Sequence, residues 1–270
     1  EPDATAAPDG DAGAWRDAIA RTSSHRRQRD VLVEVLHAQQ RRRNAPPEAL
    51  ASAALLGDPG SVAVVTGQQA GLFGGPLFTL LKALTALQLA ERVRTEHQVP
   101  AIAVFWVDAE DHDWDEVKSC GVLDGDHAPR SVSLGDVPGA HAGPVARVRL
   151  NEAITTALSE LQSTLPATEF TPALLDDLRR CYEPGVGMAD AFSRWLERVL
   201  GPHGLVVFDS SDSAAKPLVA NVFAHEIERA GETARLAAEA GAALAARGYH
   251  AQVTPSDGSL ALFHMNAGRE

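Results

Sequence analysis

The chain has 270 residues, of which 45% are hydrophobic and 22% are charged, which is the balance of a folded globular protein. Its formal net charge of −12 disfavours a nucleic-acid-coating surface, because duplexes are bound mainly by lysine and arginine side chains that neutralise phosphates. No apolar run is long enough for a membrane span, and Cys120 and Cys181 cannot form a disulfide framework. We expect two reduced thiols in a cytoplasmic protein with neither nucleic-acid nor membrane partners.

The N-terminal part is expected to be helical. Residues 1–14 are rich in Ala, Asp, Pro and Gly and predict a disordered tail rather than a signal peptide. Residues 15–57 predict a helical segment, with one helix over 15–43 that carries basic runs at 25–29 and 39–43. These runs indicate a solvated helix face or, alternatively, a surface for phosphate or an acidic partner.

A βαβ unit is predicted over residues 58–127, as the first part of a Rossmann-like core. Residues 61–66 and 101–107 are apolar, β-branched runs typical of buried strands. Between them lie a Gly-rich turn at 67–76 and a helix at 77–96, so the two strands should be parallel. The fold class is therefore α/β with a parallel sheet.

The remaining chain is expected to interrupt and then continue this core. Residues 128–203 predict a mainly helical insertion, with extended pieces at 130–134 and 145–150 and helices that begin near Asn151, Thr171 and Gly187. Residues 204–270 predict a continuation that is truncated, with a strand at 204–208 and a long helix at 216–247. A last strand at 259–265 either closes a hairpin with 249–253 or belongs to something longer.

Polar residues follow each of the three buried strands. They lie at 66–69, 108–113 and 209–213. Ligands of open parallel sheets bind at the carboxyl ends of the strands, so these three clusters should converge on one crevice.

The loop after the first strand is rich in glycine, at Gly67, Gly71, Gly74 and Gly75. Such a loop lets backbone N–H groups approach a phosphate or carboxylate, although a tight turn without a ligand is the alternative. It matches neither the dinucleotide fingerprint nor the P-loop. The neighbouring amides of Gln68 and Gln69 favour a polar substrate, since each can donate and accept hydrogen bonds.

Residues 108–116 are the most unusual segment, with six carboxylates and one histidine among nine residues. So many negative charges destabilise the fold unless a cation offsets them. A ligand ammonium or polar substrate, a divalent metal, and a merely solvated acidic loop all remain open. His112 lies between Asp111 and Asp113 and could act as a general acid or base. Lys82 and Cys120 are interpreted as a surface lysine and a buried thiol.

Together these motifs resemble the bacillithiol biosynthesis cysteine-adding enzyme family (BshC). The resemblance rests on residues 65–79, 104–116, 145–150, 182–185, 190–192 and 204–209. It implies a ligase that joins cysteine to glucosaminyl-malate, and a Rossmann core similar to that of class I aminoacyl-tRNA synthetases and nucleotidyltransferases. Those relatives carry a His-x-Gly-His signature where this chain has Gly67 to Gln69. It also implies a dimer and a protein about twice as long, so that a partner chain could supply the missing C-terminal half.

On this basis we predict three catalytic residues, which are Asp111, His112 and Asp113. The predicted substrate-binding residues are Thr66, Gly67, Gln68, Gln69, Gly71, Gly74, Gly75, Glu110, Asp209 and Ser210. The cofactor stays open: the resemblance points to ATP or ADP, and no metal is assigned. Two rival functions remain, namely another nucleotide-dependent transferase with a metal at 108–113, and a non-catalytic half of a split ligase.

Overall fold

A computed structural model describes residues 12–23, 27–254, 256 and 259–262. The chain divides after Asp212 into two compact units. The helices of the first unit are Ala12–Ser23 (α1), Arg29–Arg43 (α2), Pro47–Leu55 (α3), Phe78–His97 (α4), Trp114–Val117 (α5), Ala153–Thr164 (α6), Thr171–Cys181 (α7) and Met188–Leu200 (α8). Its strands are Val62–Gln69 (β1), Ala101–Asp108 (β2), Ser119–Leu123 (β3), Pro129–Ser133 (β4) and Val206–Asp209 (β5).

The centre of the first unit is a parallel three-stranded sheet with the order β1-β2-β5. This confirms the predicted α/β class and the parallel βαβ unit. α4 packs on β1 and β2 through buried alanines, and these small side chains let the helix approach the sheet closely. The strands β3 and β4 form a separate antiparallel hairpin.

β1 is longer than predicted, because Gly67, Gln68 and Gln69 continue the strand instead of starting the loop. They pair in register with Trp106, Val107 and Asp108 of β2. Gly67 is required by this close pairing, since a Cβ atom there would lie 2.6 Å from the carbonyl oxygen of Trp106.

The N-terminal segment differs from the prediction in two ways. The single helix over 15–43 is wrong, because Arg27 and Gln28 are not helical and separate α1 from α2. The Arg29 guanidinium fixes the start of α2 by donating to the carbonyls of Leu56 and Ser61 (2.9 and 3.0 Å). α1 begins at Ala12, so the predicted tail at 1–14 extends too far, and its first part lies outside the described residues.

The basic run at 39–43 is not a fully solvated face. The Arg43 side chain is buried and donates to both carboxylate oxygens of Glu197 on α8 and to the carbonyl of Val207. Gln39 is also buried. Its Nε2 donates to the carbonyl of Asp209, and its Oε1 accepts the N–H of Asp209. These contacts join α2 to α8 and β5, because buried charges and amides must find partners.

The middle segment has the predicted helices, since α6, α7 and α8 begin within two residues of the expected positions. The predicted extended piece at 130–134 is found as β4. The piece at 145–150 is instead a short 3-10 helix over Val145–Arg147.

No helix of the described part of the chain is both long and apolar enough to cross a membrane.

The second unit comprises a 3-10 helix (Ser213–Val219) and the helices Ala220–Glu228 (α9) and Glu232–Ala246 (α10). The single long helix over 216–247 is wrong, because Gly231 adopts a left-handed φ of 82° between α9 and α10. Residues 249–253 and 259–262 contain no strand, so the expected hairpin is absent from them. The rest of the predicted last strand lies outside the described residues.

Candidate functional site

The carboxyl ends of the three parallel strands lie side by side. Gln69 at the end of β1 pairs with Asp108 at the end of β2, and Asp209 at the end of β5 pairs with Val107. Parallel pairing therefore brings the three polar clusters to one edge of the sheet.

A chain of hydrogen bonds crosses this edge from a cation to two anions. The Lys82 ammonium on α4 donates to Gln68 Oε1 (2.8 Å), and Gln68 Nε2 donates to Gln69 Oε1 (3.0 Å). Gln69 Nε2 in turn donates to Asp111 Oδ2 (2.9 Å) and Glu116 Oε2 (2.8 Å). The ends fix the orientation of both amides, because an ammonium can only donate and a carboxylate can only accept.

The acidic segment is folded around Asp111. Its Oδ1 accepts the backbone N–H groups of His112 (2.6 Å) and Asp113 (3.2 Å). Burial alone would raise the pKa of Asp111, but the hydrogen bonds from Gln69 and these two N–H groups lower it below its ordinary value. Asp111 therefore stays anionic beside Gln69.

The other two predicted catalytic residues are placed differently. His112 points outward, with a side chain 68% exposed and with Nδ1 3.5 Å from Asp111 Oδ1. Asp113 caps α5, since its Oδ1 accepts the N–H of Glu116 (3.1 Å). Glu110 is exposed.

Asp108 was not among the predicted site residues, although it lies at the end of β2. Burial raises the pKa of Asp108, and the charges of Asp111 and Glu110 raise it further. A carboxylate with a raised pKa accepts protons more readily than its neighbours do. Asp108 and Asp111 thus form a pair whose environments move their pKa values apart.

Two cavities lie at this edge, with volumes of about 420 and 280 Å³. The larger cavity is lined by Val65, Thr66, Gly67, Gln68, Gln69, Trp106 and Asp108. The smaller cavity is lined by Gln68, Gln69, Gly71, Gly75, Pro76, Glu116, Val117, Ser119, Cys120 and Gly121. Most of the predicted substrate-binding residues of β1 and the glycine loop therefore meet at these cavities.

Asp209 and Ser210 line neither of these two cavities. Both are buried, and Asp209 Oδ1 accepts the N–H and hydroxyl of Ser211 (2.9 and 2.6 Å). Ser210 Oγ donates to the carbonyl of Val107 (3.1 Å). Their contacts hold the end of β5 against β2.

The glycine loop is closed by a tyrosine from α7's C-terminal end. The buried Tyr182 hydroxyl donates to the Gly71 carbonyl (3.1 Å) and accepts the Gly74 N–H (3.0 Å). The N–H groups of Gly71 and Gly75 donate to the carbonyls of Gln69 and Leu72. These N–H groups are engaged within the loop and not turned toward an anion, which is the geometry of the tight turn that the sequence left open as the alternative.

Two further features keep the loop in one conformation. Phe73 adopts a left-handed φ of 52°, and its ring packs edge-on against Tyr182 with 5.3 Å between the ring centroids. A Cβ atom on Gly74 would lie 2.3 Å from the ring of Trp195, so only glycine fits there. Strain of this kind persists when the surrounding packing determines it.

Local patterns could not reveal Tyr182, Lys82 or Glu116 as parts of the site. Tyr182 is more than 100 residues away from the loop in sequence. The sequence indicates only a surface lysine at Lys82, and the pairing of β1 with β2 brings Gln68 and Gln69 between Lys82 and Glu116. Burial raises the pKa of Cys120, which agrees with a buried thiol.

The charge of the site is anionic where the cavities open. Asp108 and Glu116 supply carboxylates, and the residues that line the two cavities include no lysine or arginine. No group of three His, Cys, Asp or Glu side chains within the described part of the chain is arranged to hold a metal ion. Carboxylates without a cationic partner favour a positively charged ligand.

The chain is similar to known proteins over most of its length. Residues 8–270 match the family described as "Bacillithiol biosynthesis BshC, N-terminal Rossmann-like domain". Three relatives are each named "Putative cysteine ligase BshC". The relative from Salinibacter ruber is 36% identical over 89% of this chain and 45% of its own length. The one from Chlorobaculum tepidum is 34% identical over 88% and 42%, and the one from Koribacter versatilis is 36% identical over 89% and 44%.

The chain spans less than half the length of these relatives. The family match nevertheless covers nearly all of its residues, including the glycine loop and the acidic segment. The chain therefore belongs to the bacillithiol biosynthesis BshC family, in which it corresponds to the N-terminal Rossmann-like domain.

Proposed function

We propose that this chain carries the amine-binding part of a ligase that forms an amide between cysteine and glucosaminyl-malate, the last step of bacillithiol biosynthesis. The observation that carries the proposal is the anionic edge of the sheet, where Asp108 and Glu116 line cavities without a basic side chain. Both substrates bear an amine, and a protonated amine is the kind of ligand that such carboxylates bind. The family membership supports the ligase class.

The chemistry divides between two carboxylates. Amide formation needs a deprotonated amine, so the amino group of the sugar must lose a proton before it attacks. The attack forms the C–N bond at the cysteine carboxyl carbon and breaks a C–O bond there, and the oxygen leaves with the group that activates the carboxyl, for which ATP stays the predicted source. Asp108, which lines the larger cavity, takes this proton, since its raised pKa makes it a stronger base than Asp111, which stays anionic and holds Gln69 in place. His112 and Asp113 stay predicted catalytic residues of the acidic segment. We propose Asp108, rather than either of them, as the general base.

ATP remains a prediction as the activating co-substrate. The described residues of this edge do not fit a triphosphate, because the loop glycines donate their N–H groups internally and Lys82 is bonded to Gln68 and to the Gly67 carbonyl. Phosphate sites use free backbone N–H groups and cations. We therefore assign no step of the reaction to ATP at these residues.

The half of the ligase that this chain does not span is the next part of the proposal. β1 has no partner on its outer side among the described strands, and Val65 on it is 56% exposed. An unpaired strand edge of this kind is normally covered. We propose that the remaining half of the ligase, in the same polypeptide or as a partner chain, covers the unpaired outer side of β1. We also propose that the full protein dimerises. The two free thiols, Cys120 and Cys181, support a cytoplasmic location.

The dependence on a second half gives the alternative function, which is a non-catalytic, substrate-binding half of a split ligase. The unpaired edge of β1 is the observation that favours it. Product formation from cysteine, glucosaminyl-malate and ATP by this chain alone would exclude the alternative. Product formation with the complementary half of a relative that is unchanged by Asp108→Asn would support it, because catalysis would then not depend on this chain's carboxylate.

The test of the main proposal is a mass-spectrometric assay for the amide product, with the complementary half present. Asp108→Asn should lower kcat by about a hundredfold or more, which is the usual contribution of a general base. Asp126→Asn, an exposed carboxylate in the β3–β4 turn, is the matched control and should retain activity. Full activity of Asp108→Asn would overturn the role of this edge.

A further inference from the structure

The Gln68–Gln69 amide pair forms a shared wall between the two cavities. These two residues are the only ones that line both the larger and the smaller cavity. The wall is held in place from both ends, by Lys82 on one side and by the carboxylates of Asp111 and Glu116 on the other. A condensing enzyme must bring two different substrates to one point, and two compartments with a common wall meet this need.

The smaller cavity has the chemistry of an amino-acid site. Glu116 at its rim accepts one hydrogen bond from Gln69 and has no ion pair with a lysine or arginine of the described chain. Val117, Ser119 and the buried Cys120 also line this cavity, which suits a small side chain. Its volume of about 280 Å³ is smaller than the roughly 420 Å³ of the other cavity and holds an amino acid.

The larger cavity has a different wall. The Trp106 side chain is 43% exposed, and its ring packs edge-on against Phe208 with 4.9 Å between the centroids. That contact holds the ring while Trp106 stays partly exposed in the cavity lining, and an aromatic ring packs against the apolar side of a ligand ring. Asp108 and Thr66 beside it supply polar groups for an amine and hydroxyls. The cavity opens widely to solvent, so the carboxylates of a malate group would remain hydrated.

We propose that the smaller cavity binds the amino acid, with its ammonium at Glu116, and that the larger cavity binds the amino sugar, with its ring on Trp106. This assignment rests on the proposed ligase function and adds the location of each substrate. The carboxyl group of the one substrate and the amine of the other then meet beside the Gln68–Gln69 pair, which lines both cavities. Lys82 is a positioning residue, because it orients this pair without lining either cavity.

The experiment measures the binding of L-cysteine and of glucosaminyl-malate separately, by isothermal titration calorimetry on the purified chain. Glu116→Gln should weaken L-cysteine binding by about tenfold or more, since it removes a charged hydrogen-bond acceptor, and should leave glucosaminyl-malate binding unchanged. Trp106→Ala should do the reverse. Trp106→Phe keeps an aromatic ring and should restore most of the binding, which separates loss of the ring from loss of the fold.

Asp115→Asn is the matched control, because this carboxylate of the same segment is exposed and pairs with Lys118. It should change neither affinity. If both ligands bind and Glu116→Gln weakens only glucosaminyl-malate, or neither variant is selective, the assignment of the cavities is wrong while the ligase function stands. If neither ligand binds to the unmodified chain even with the complementary half present, the proposed function fails and the assignment of the cavities fails with it.

Discussion

Tyr182→Phe is the substitution that tests most sharply how the glycine loop is held. It keeps the ring that packs on Phe73 and removes only the hydroxyl, which bonds the Gly71 carbonyl and the Gly74 N–H at 3.1 and 3.0 Å. Burial raises the pKa of Tyr182, so the hydroxyl stays protonated and able to donate. Each buried hydrogen bond contributes about 0.5–1.5 kcal/mol, so the loss of both should reduce the free energy of unfolding by about 1–3 kcal/mol.

Urea unfolding followed by tryptophan fluorescence reports on the first compact unit, which contains the glycine loop, because all 4 tryptophans precede Asp212. Hydrogen exchange should also show faster exchange of the Gly74 amide, while the amides of β2 keep their protection. Tyr249→Phe is the control, since the Tyr249 side chain is 66% exposed, and it should leave both readouts unchanged. Equal stability and equal Gly74 exchange in Tyr182→Phe would refute the role of the hydroxyl.

Three more predictions test other parts of the account. Because the pKa of Asp108 is raised above 3.8 in the folded state, its contribution to stability is present below pH 3.8 and is lost as pH rises through the raised value. Asp108→Asn should therefore gain in stability relative to the unmodified chain as pH rises in urea titrations, while it loses activity; a constant difference would contradict the assignment. Lys82→Met should raise KM for glucosaminyl-malate by about tenfold and Lys82→Arg should retain most of the affinity, since only a cation orients the amide pair; equal KM values would contradict it. Glu197→Ala leaves Arg43 buried without its partner and should cost about 3–5 kcal/mol, whereas Glu91→Ala removes an exposed partner and should cost under about 1 kcal/mol in the same unfolding assay.

The parts of the fold that depend on local patterns could be predicted from the sequence. Buried β-branched runs and helical periodicity placed β1, β2, β5 and the helices between them, because such patterns reflect which face of an element is buried. The errors arose at the ends of elements. Gly231 breaks the last predicted helix by adopting a left-handed φ, which its sequence context does not require.

Only those residues of the candidate site that lie at or just after the strand ends could be predicted from the sequence. Gln69 and Asp111 are in hydrogen-bond contact, as their positions after β1 and within the acidic segment suggested. The burial of Arg43, which the basic run did not indicate, depends on a carboxylate 154 residues away. Sequence spacing cannot specify such long-range pairs, because they are set by how the helices pack on the sheet.

The most direct test of the central claim is a crystal structure of the chain with glucosaminyl-malate bound. The account predicts that the amino nitrogen lies in the larger cavity within hydrogen-bond distance of Asp108, at about 3 Å, with the sugar ring against Trp106. An amine that lies away from both Asp108 and Glu116, or a sugar bound outside the two cavities that share Gln68 and Gln69, would contradict the claim that this anionic edge binds the amine.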